Sequence, residues 1–422
     1  MSALAFAAVW LFVFTLPFGN ALAIIPGVGL LTKITGGLAL AAALGHMVLS
    51  GRVRRWHGMH LAGLLFVLWC GTQLFLSPFG QRLPLKYMTY VQLFVMMLII
   101  WELSVSWKRM LSLLTAYVFG SYVAALSTVM LYRREAGQLR RFAAVESDPN
   151  SLAMTLALAM PMAWYLGMTS RSALLRWICR AYLIVGFVAV ALTASRGGMV
   201  ATIVALMIVP LTMTKLSPGR LAAAMIVVVV AGAVAVAYVP DRIVQRLATT
   251  GTEVEDLTLG GRFQLWTAGV KAFAARPLTG YGTGGWRTAV SPWLGPDPQV
   301  AHNSYLSVLV ETGLVGLTFY MAMFIAAFLA ILRLGSLERR FTLVLLATLG
   351  MAMMPLSWDD QKAVWFILAA LVGLARGTGT FQRPIPYAPP LRAAPVARAA
   401  RTGRGRGDPL GAAPDTEPGP AS

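Results

Sequence analysis

One polar stretch, residues 240–302, organises this sequence because it separates two long apolar regions. It contains GGRFQLW at 260–266 and GYGTGGW at 280–286, and the chain returns to apolar sequence through AHNSYL at 301–306. Almost everywhere else the sequence reads as apolar helix. A long insertion rich in glycine, tryptophan and arginine, with a histidine at its exit, can place reactive side chains outside the lipid and in contact with water. We therefore expect a functional site in this stretch.

The composition is that of a membrane protein. Hydrophobic residues make up 58% of the 422 residues and charged residues only 12%, whereas a soluble domain is about half apolar and a quarter charged. Apolar runs of about 18–25 residues recur, and each is long enough to cross a hydrocarbon core of roughly 30 Å. The sequence therefore predicts an all-α polytopic membrane protein.

The apolar runs predict about twelve transmembrane helices. They lie at 3–29, 34–50, 60–77, 85–103, 110–131, 150–168, 174–194, 197–214, 219–239, 304–332, 341–356 and 362–375. In this division, helices 1–9 with short loops occupy 1–239, a large, partly helical outer loop occupies 240–302, and helices 10–12 occupy 303–376. Residues 377–422 are rich in Pro, Ala, Gly and Arg without apolar periodicity, which predicts a disordered cytoplasmic tail.

The basic residues set the predicted orientation. The net charge is +19, but the Lys and Arg residues outside the tail are scattered between the spans, so topology and anionic lipid explain it better than nucleic acid does. With the N-terminus in the cytoplasm, most short basic loops face inside, although one outer loop carries Arg133, Arg134, Arg140 and Arg141. This orientation places TASRGG at 193–198, SDPN at 147–150 and the 240–302 stretch on the same outer side.

Arg196 and Arg262 are candidate anion-binding residues. Arg196 lies between two spans, where its planar guanidinium can present a fork to phosphate oxygens, and Gly197 and Gly198 would let a bulky headgroup approach the backbone. Arg262 opens a segment with helical spacing, so it would lie at a helix N-terminus, which favours an anion. The alternatives are an interfacial arginine extending to lipid headgroups for Arg196, and a solvated cap on an amphipathic helix for Arg262.

His302 is the candidate base. It is the one of the four histidines that the predicted topology places on the outer side, immediately before a span. A neutral imidazole can take a proton from an attacking hydroxyl because its reference pKa lies near neutrality. Asn303 and Tyr305 supply neighbouring hydrogen-bonding groups. A lone histidine is more often structural. The prediction that Arg196 and Arg262 lie on the same outer side as His302 favours a catalytic role for it.

The glycine-rich segment at 280–285 does not indicate a nucleotide site. It lacks the Lys-Ser/Thr ending of a phosphate loop, and no strand precedes it. The sequence predicts a tight turn instead, with Tyr281, Trp286 and Trp293 forming an amphipathic surface for carbohydrate or the membrane interface. Arg276 and Arg287 are secondary candidates for phosphate contacts.

Neither the cysteines nor the acidic residues indicate a metal or another cofactor. Cys70 and Cys179 both lie inside apolar runs, which predicts neither a disulfide framework nor a metal site. No carboxylate triad or His-rich cluster has metal-ligand spacing. Asp148 and Asn150 are candidates to cap the helix that follows them.

These motifs resemble those of the O-antigen ligases and related oligosaccharide polymerases of the bacterial cell envelope. The resemblance lies in SRGG at 195–198, GRFQLW at 261–266 and HNSYL at 302–306, together with the plan of about twelve spans and a large outer loop before the tenth. It covers most of residues 1–376. It implies an integral-membrane glycosyltransferase with GT-C-like architecture in the inner membrane, with its active site facing the periplasm and no need for a metal or a nucleotide sugar.

The resemblance also implies roles for particular residues. Such ligases move a glycan from undecaprenyl diphosphate to a sugar hydroxyl of lipid A–core in lipopolysaccharide biosynthesis. Arg196 and Arg262 would hold the diphosphate, and His302 would act as base on the acceptor hydroxyl. Residues expected to contact diphosphate or glycan are Asn303, Tyr305, Trp266, Gln264, Tyr281 and Arg287. Asp359 and Asp360, on the last outer loop, would orient a sugar or simply be solvated.

Three alternatives remain beside the ligase, and one of them, a ligase that places glycans on protein, would use the same chemistry. A polymerase that joins undecaprenyl-linked repeat units would use the same chemistry, and one compact outer loop favours the ligase by analogy alone. A lipid-linked glycan transporter would need ionisable residues at mid-membrane depth or inverted repeats with broken helices. The centres of the predicted spans are almost free of charge, and no repeat is visible in the sequence.

Overall fold

The computed structural model describes residues 2–19, 31–51, 53–76, 83–134, 148–213 and 261–377, and all regular elements within these ranges are helical. The helices are α1 (Ser2–Thr15), α2 (Leu31–Ser50), α3 (Gly58–Leu76), α4 (Leu83–Leu103), α5 (Trp107–Arg134), α6 (Pro149–Thr169), α7 (Ala173–Leu192), α8 (Arg196–Leu206), α9 (Ile208–Thr212), α10 (Arg262–Ala275), α11 (Trp286–Leu294), α12 (Ser304–Ile331), α13 (Ser336–Met353) and α14 (Lys362–Gly377).

Seven of these helices are long and apolar enough to cross a membrane, which confirms an all-α polytopic membrane protein. They are α2 to α7 and α12. The predicted span at 219–239, residues 240–260 of the predicted loop and residues 378–422 of the tail lie outside the described residues. The predicted run at 197–214 forms two helices, α8 and α9, which meet at Met207. The total of about twelve spans stays a prediction.

Helix α14 forms the centre of the bundle, although its 16 residues make it shorter than the candidate spans. It packs against α4, α5, α12 and α13, and nearly every side chain from Ala363 to Leu374 is buried. Phe366 stacks on Tyr117 of α5 with ring centroids 5.3 Å apart. A helix that is apolar all round is stable only when neighbouring helices cover every face. This explains why α14, which is apolar on all sides, lies at the centre of the bundle.

The loops segregate to two ends of the bundle. At one end, the backbone N–H of Arg54 donates to the carboxylate of Glu102, and its guanidinium donates to the carbonyl of Trp101, both at 2.9 Å. At the other end lie the starts of α6, α8 and α12 and the α13–α14 connection. Arg333 and Arg376, from segments predicted to be cytoplasmic, act electrostatically on His57 near this first end. Which end faces the cytoplasm remains a prediction from the distribution of basic residues.

Candidate active site

The glycine-rich segment at 280–285 docks on a break in helix α12. Gly313 has φ 68° and ψ −172°, which interrupts the helix after Thr312. The backbone N–H groups of Tyr281 and Gly282 donate to the freed carbonyls of Val310 and Glu311, at 3.1 and 2.8 Å. A Cβ at Gly280 would lie 2.5 Å from the carbonyl oxygen of Glu311. These glycines therefore allow two backbones to approach each other, and Gly285 closes a tight turn by donating to Gly282 at 2.9 Å.

Two tryptophans hold the segment that leads to His302. The indole N–H of Trp286 donates to the carbonyl of Gln299 at 2.9 Å, and that of Trp266 donates to the carbonyl of Ala301 at 3.0 Å. Trp286 is only 3% exposed, within an apolar cluster shared with α10 and α12. Trp286 therefore packs inside the protein rather than on an exposed amphipathic surface, and its contact with carbohydrate stays a prediction.

His302 lies in a strained and tightly fixed segment. Its φ is +47°, one of two positive values among the non-glycine residues described, the other being Ala194 at +48°. Asn303 caps α12 by accepting from the N–H of Leu306 at 3.1 Å. The Ser304 hydroxyl donates to the carbonyl of Leu356 and accepts from the N–H of Trp358, both at 2.7 Å. Left-handed backbone outside glycine persists only where the surrounding structure over-determines it, and such strain clusters at functional sites.

The surroundings of His302 keep its imidazole neutral. Burial lowers its pKa, the guanidinium of Arg262 lowers it further, and the carboxylate of Asp148 opposes both. The Nδ1 atom is buried and has no hydrogen-bond partner in the part of the chain that the structure describes. A neutral imidazole has one nitrogen free to accept a proton, so the geometry suits a general base.

Arg262 and Arg196 each begin a helix. Arg262 opens α10 after Gly261, whose φ is +81°, and this confirms the predicted helix N-terminus. Arg196 opens α8, where the Ser195 hydroxyl accepts from the N–H of Gly198 at 3.2 Å. Both arginine residues are half-buried. Each arginine thus adds its charge to the positive end of a helix dipole.

The glycines after Arg196 pack against protein. A Cβ at Gly198 would lie 2.4 Å from the Cβ of Ala153, and one at Gly197 would lie 2.8 Å from the Cγ of Pro355. The prediction that these glycines leave room for a headgroup is therefore wrong. They bring α8 against α6 and the α13–α14 connection instead.

A chain of hydrogen bonds joins the start of α8 to the His302 segment. The Ser195 hydroxyl donates to the amide oxygen of Asn150 at 3.0 Å, and Asp148 caps α6 by accepting from the N–H of Ser151 at 2.8 Å. The Trp358 indole N–H donates to the Ser151 hydroxyl at 3.2 Å, and Trp358 also bonds to Ser304. The structure therefore brings the SRGG and HNSYL motifs to one end of the bundle. Arg262, from the third motif GRFQLW, belongs to the same end because it lies close enough to lower the pKa of His302.

The other predicted contact residues mostly have partners within the protein. The Tyr305 hydroxyl donates to the carbonyl of Gly350 at 3.1 Å. The guanidinium of Arg276 lies over the Tyr281 ring, 5.3 Å from its centroid, and Arg287 forms an ion pair with Asp297. The side chain of Gln264 is exposed on α10. Contacts of these residues with a substrate stay predictions.

Sequence reasoning missed a buried charged cluster beside this site. The ammonium group of Lys86, on α4, lies 2.8 Å from the carboxylate of Glu311 and 2.9 Å from that of Asp359. Asp359 also accepts from the Tyr90 hydroxyl at 2.5 Å and is 1% exposed, so the alternative that it is solvated is wrong. Burial and the neighbouring Asp359 raise the pKa of Asp360. The available signal was a Lys and a Glu inside apolar runs, which membrane proteins retain for function.

The described residues offer no group of three or more His, Cys, Asp or Glu that could hold a metal ion. Cys70 and Cys179 are buried free thiols within α3 and α7. Independence from metals stays a prediction about the reaction.

The fold and the site define a multi-pass helical membrane protein in which candidate Arg, His and Asp side chains lie at one end of the bundle. Residues 181–321 match the family model Wzy_C, described as O-Antigen ligase. The match confirms the predicted resemblance, and its range includes Arg196, Arg262 and His302. It supports a membrane glycosyltransferase of the ligase or polymerase type. A search of the curated proteins finds no match to this chain.

Proposed function

We propose that this protein is an O-antigen ligase that transfers a glycan from undecaprenyl diphosphate to a sugar hydroxyl of lipid A–core. The observation that carries the proposal is the placement of His302, a half-buried residue with a buried, unpartnered Nδ1, close enough to Arg262 for that guanidinium to lower its pKa. A base beside a cationic group is what transfer from a diphosphate to a hydroxyl needs. The family match supports the reaction class.

Arg196 and Arg262 bind the diphosphate in this proposal. Each supplies a guanidinium fork at the start of a helix, where the backbone N–H groups and the dipole also favour an anion. Negative charge grows on the leaving diphosphate as its bond to the anomeric carbon breaks, and fixed cations stabilise that charge. The arginines would therefore fill the role that a metal ion has in other glycosyl transfers, so the reaction needs no cofactor.

His302 accepts the proton from the acceptor hydroxyl. As the proton leaves, the hydroxyl oxygen forms its bond to the anomeric carbon, and the bond to the diphosphate oxygen breaks with its electron pair going to the phosphate. An attacking hydroxyl opposite the leaving group inverts the anomeric centre. The pKa of His302 is lowered by burial and Arg262, so the base is unprotonated at neutral pH.

The remaining residues position this machinery. Asn303 and Trp266 fix the backbone on either side of His302, and Tyr305 anchors α12 to α13. Gln264, Tyr281 and Arg287 are proposed to contact the glycan or the diphosphate. The site would face the periplasm from the inner membrane, with 1–239 and 303–376 forming the membrane domain, 240–302 the periplasmic loop and 377–422 a cytoplasmic tail.

The test is transfer by the purified full-length chain. Undecaprenyl-diphosphate-linked glycan and lipid A–core would be mixed with the protein and EDTA, and the lipopolysaccharide resolved on a gel. His302→Asn removes the base with a residue that tolerates positive φ, Arg262→Ala removes the cation, and Arg171→Ala alters an exposed arginine at the other end of the bundle.

We expect a ladder with the intact protein and with Arg171→Ala, and none with the other two variants. Longer undecaprenyl-linked chains without use of lipid A–core would identify a polymerase instead. If no glycan reaches any acceptor, a glycan transporter becomes the better explanation, and a ladder that EDTA abolishes would contradict the metal-independent mechanism.

A further inference from the structure

A cavity of about 420 Å³ lies beside the His302 segment, within the size range of small-ligand sites. Its lining is rich in polar side chains, among them Lys86, Ser307, Glu311, Ser357, Asp359 and Asp360. Ala301, directly before His302, also lines it. His302 itself is not among the lining residues, so the cavity lies beside the proposed base.

Carboxyl groups are the most numerous charge-bearing groups in the lining of the cavity. Three carboxylates, those of Glu311, Asp359 and Asp360, face one ammonium group, that of Lys86. Arg287 also lines the cavity and is paired with Asp297, which lies outside the lining. Buried charges of the same sign as a phosphate repel it at short range, so the diphosphate does not belong here.

Two polar atoms in the lining lack partners. Oδ1 of Asp359, whose side chain is 1% exposed, and Oγ of Ser357 are buried without a hydrogen-bond partner in the described part of the chain. Leaving such atoms unsatisfied costs free energy. An ionised carboxylate oxygen accepts hydrogen bonds and cannot donate them. A hydroxyl group that donates to a carboxylate forms a stronger hydrogen bond than two neutral groups do.

We propose that this cavity binds an uncharged, hydroxyl-bearing sugar ring, with Asp359 and Ser357 receiving its hydroxyl groups. This inference rests on the proposed glycosyl transfer. The site thus divides into a cationic side, Arg196 and Arg262, for diphosphate, and an acidic side for saccharide. The sugar ring belongs either to the acceptor core or to the donor glycan, and the two sources share this chemistry.

The experiment uses the full-length protein and measures KM separately for donor and acceptor. Ser357→Ala is the sharpest variant, because the hydroxyl it removes makes no hydrogen bond to the described protein and the fold loses none. Asp360→Asn removes a charge with little change in shape. Ser104→Ala is the matched control, because its Oγ is also buried without a described partner but lies near Arg54 at the other end.

We expect Ser357→Ala to raise the KM for one saccharide substrate about fivefold to tenfold, the equivalent of one lost hydrogen bond, with an unchanged melting temperature. A raised KM for lipid A–core assigns the cavity to the acceptor, and a raised KM for the donor assigns it to the donor glycan. Unchanged KM values for both substrates in Ser357→Ala and Asp360→Asn would overturn the proposal.

A binding measurement separates this inference from the proposed function. Core oligosaccharide freed of lipid A, the donor glycan as a free reducing saccharide, and sugar-free undecaprenyl diphosphate would be titrated into the protein on the His302→Asn background. Weaker binding of either saccharide in Ser357→Ala supports the cavity even if no transfer is observed. Weaker binding of undecaprenyl diphosphate in Asp360→Asn would overturn it, because the proposed acidic side repels that anion.

Discussion

The carboxylate of Glu311 accepts a hydrogen bond of 2.8 Å from the backbone N–H of Gly284. The same carboxylate forms an ion pair with Lys86 of α4, also at 2.8 Å. One buried side chain therefore fixes the glycine-rich segment to both α12 and α4. Since that segment precedes α11 and the approach to His302, the position of the candidate base depends on an ion pair within the helical bundle.

Glu311→Ala should destabilise the protein strongly. It leaves Lys86 buried with a single carboxylate partner, and breaking a buried pair costs about 3–5 kcal/mol. Asp297→Ala is the control, because it breaks a pair whose Asp297 side chain is 82% exposed, and such pairs contribute about 0–1 kcal/mol. Thermal unfolding in detergent compares the two, and equal shifts would show that the buried pair has no special role.

Gly313→Ala should also destabilise, by more than about 1 kcal/mol. Its φ is +68°, and a Cβ there would lie 2.1 Å from the carbonyl oxygen of Leu278. Gly37→Ala, in helix α2, is the control, because a Cβ at that position meets nothing within 4 Å and alanine favours a helix by about 0.5–1 kcal/mol. The two variants should therefore move the melting temperature in opposite directions, and a loss in both would contradict this account.

Asp148→Asn should extend activity to lower pH. The carboxylate of Asp148 raises the pKa of His302, against the lowering by burial and Arg262. Without it that pKa falls, the imidazole stays unprotonated to lower pH, and the acid limb of the kcat/KM profile moves down. Asparagine preserves the cap of α6 because it caps helices as well as aspartate does. A limb that stays in place, or moves up, would show that His302 is not the titrating base.

Arg196→Ala should lower kcat about 10²–10³-fold, the usual loss when a donor to a developing anion is removed. Arg196→Lys keeps the charge but loses the planar fork, so we expect an intermediate rate. Arg171→Ala should leave the rate unchanged, because Arg171 is exposed in the connection between α6 and α7. Transfer rates at saturating donor and acceptor give the comparison, and a full rate in Arg196→Ala would remove this residue from the mechanism.

Several helices and helix ends could be predicted from the sequence. Long apolar runs require helices, since backbone groups in lipid must bond within their own segment, and the predicted runs agree with α3 to α7 to within a few residues. The Asp148 cap and the helix start at Arg262 follow from local capping and glycine preferences. These features depend on interactions between residues that are close in sequence, and local sequence patterns reveal such interactions.

The sequence by itself determined the class of protein, its helical spans, its candidate residues and its family resemblance, all of which follow from composition and local motifs. Only the tertiary structure decided that Gly197 and Gly198 pack against protein, that Trp286 is buried, and that Lys86, Glu311 and Asp359 form one cluster. Lys86 and Glu311 are separated by 225 residues. The packing of α3, α4, α12 and α14, set by which apolar faces fit together, brings them into contact, and no local pattern encodes that choice.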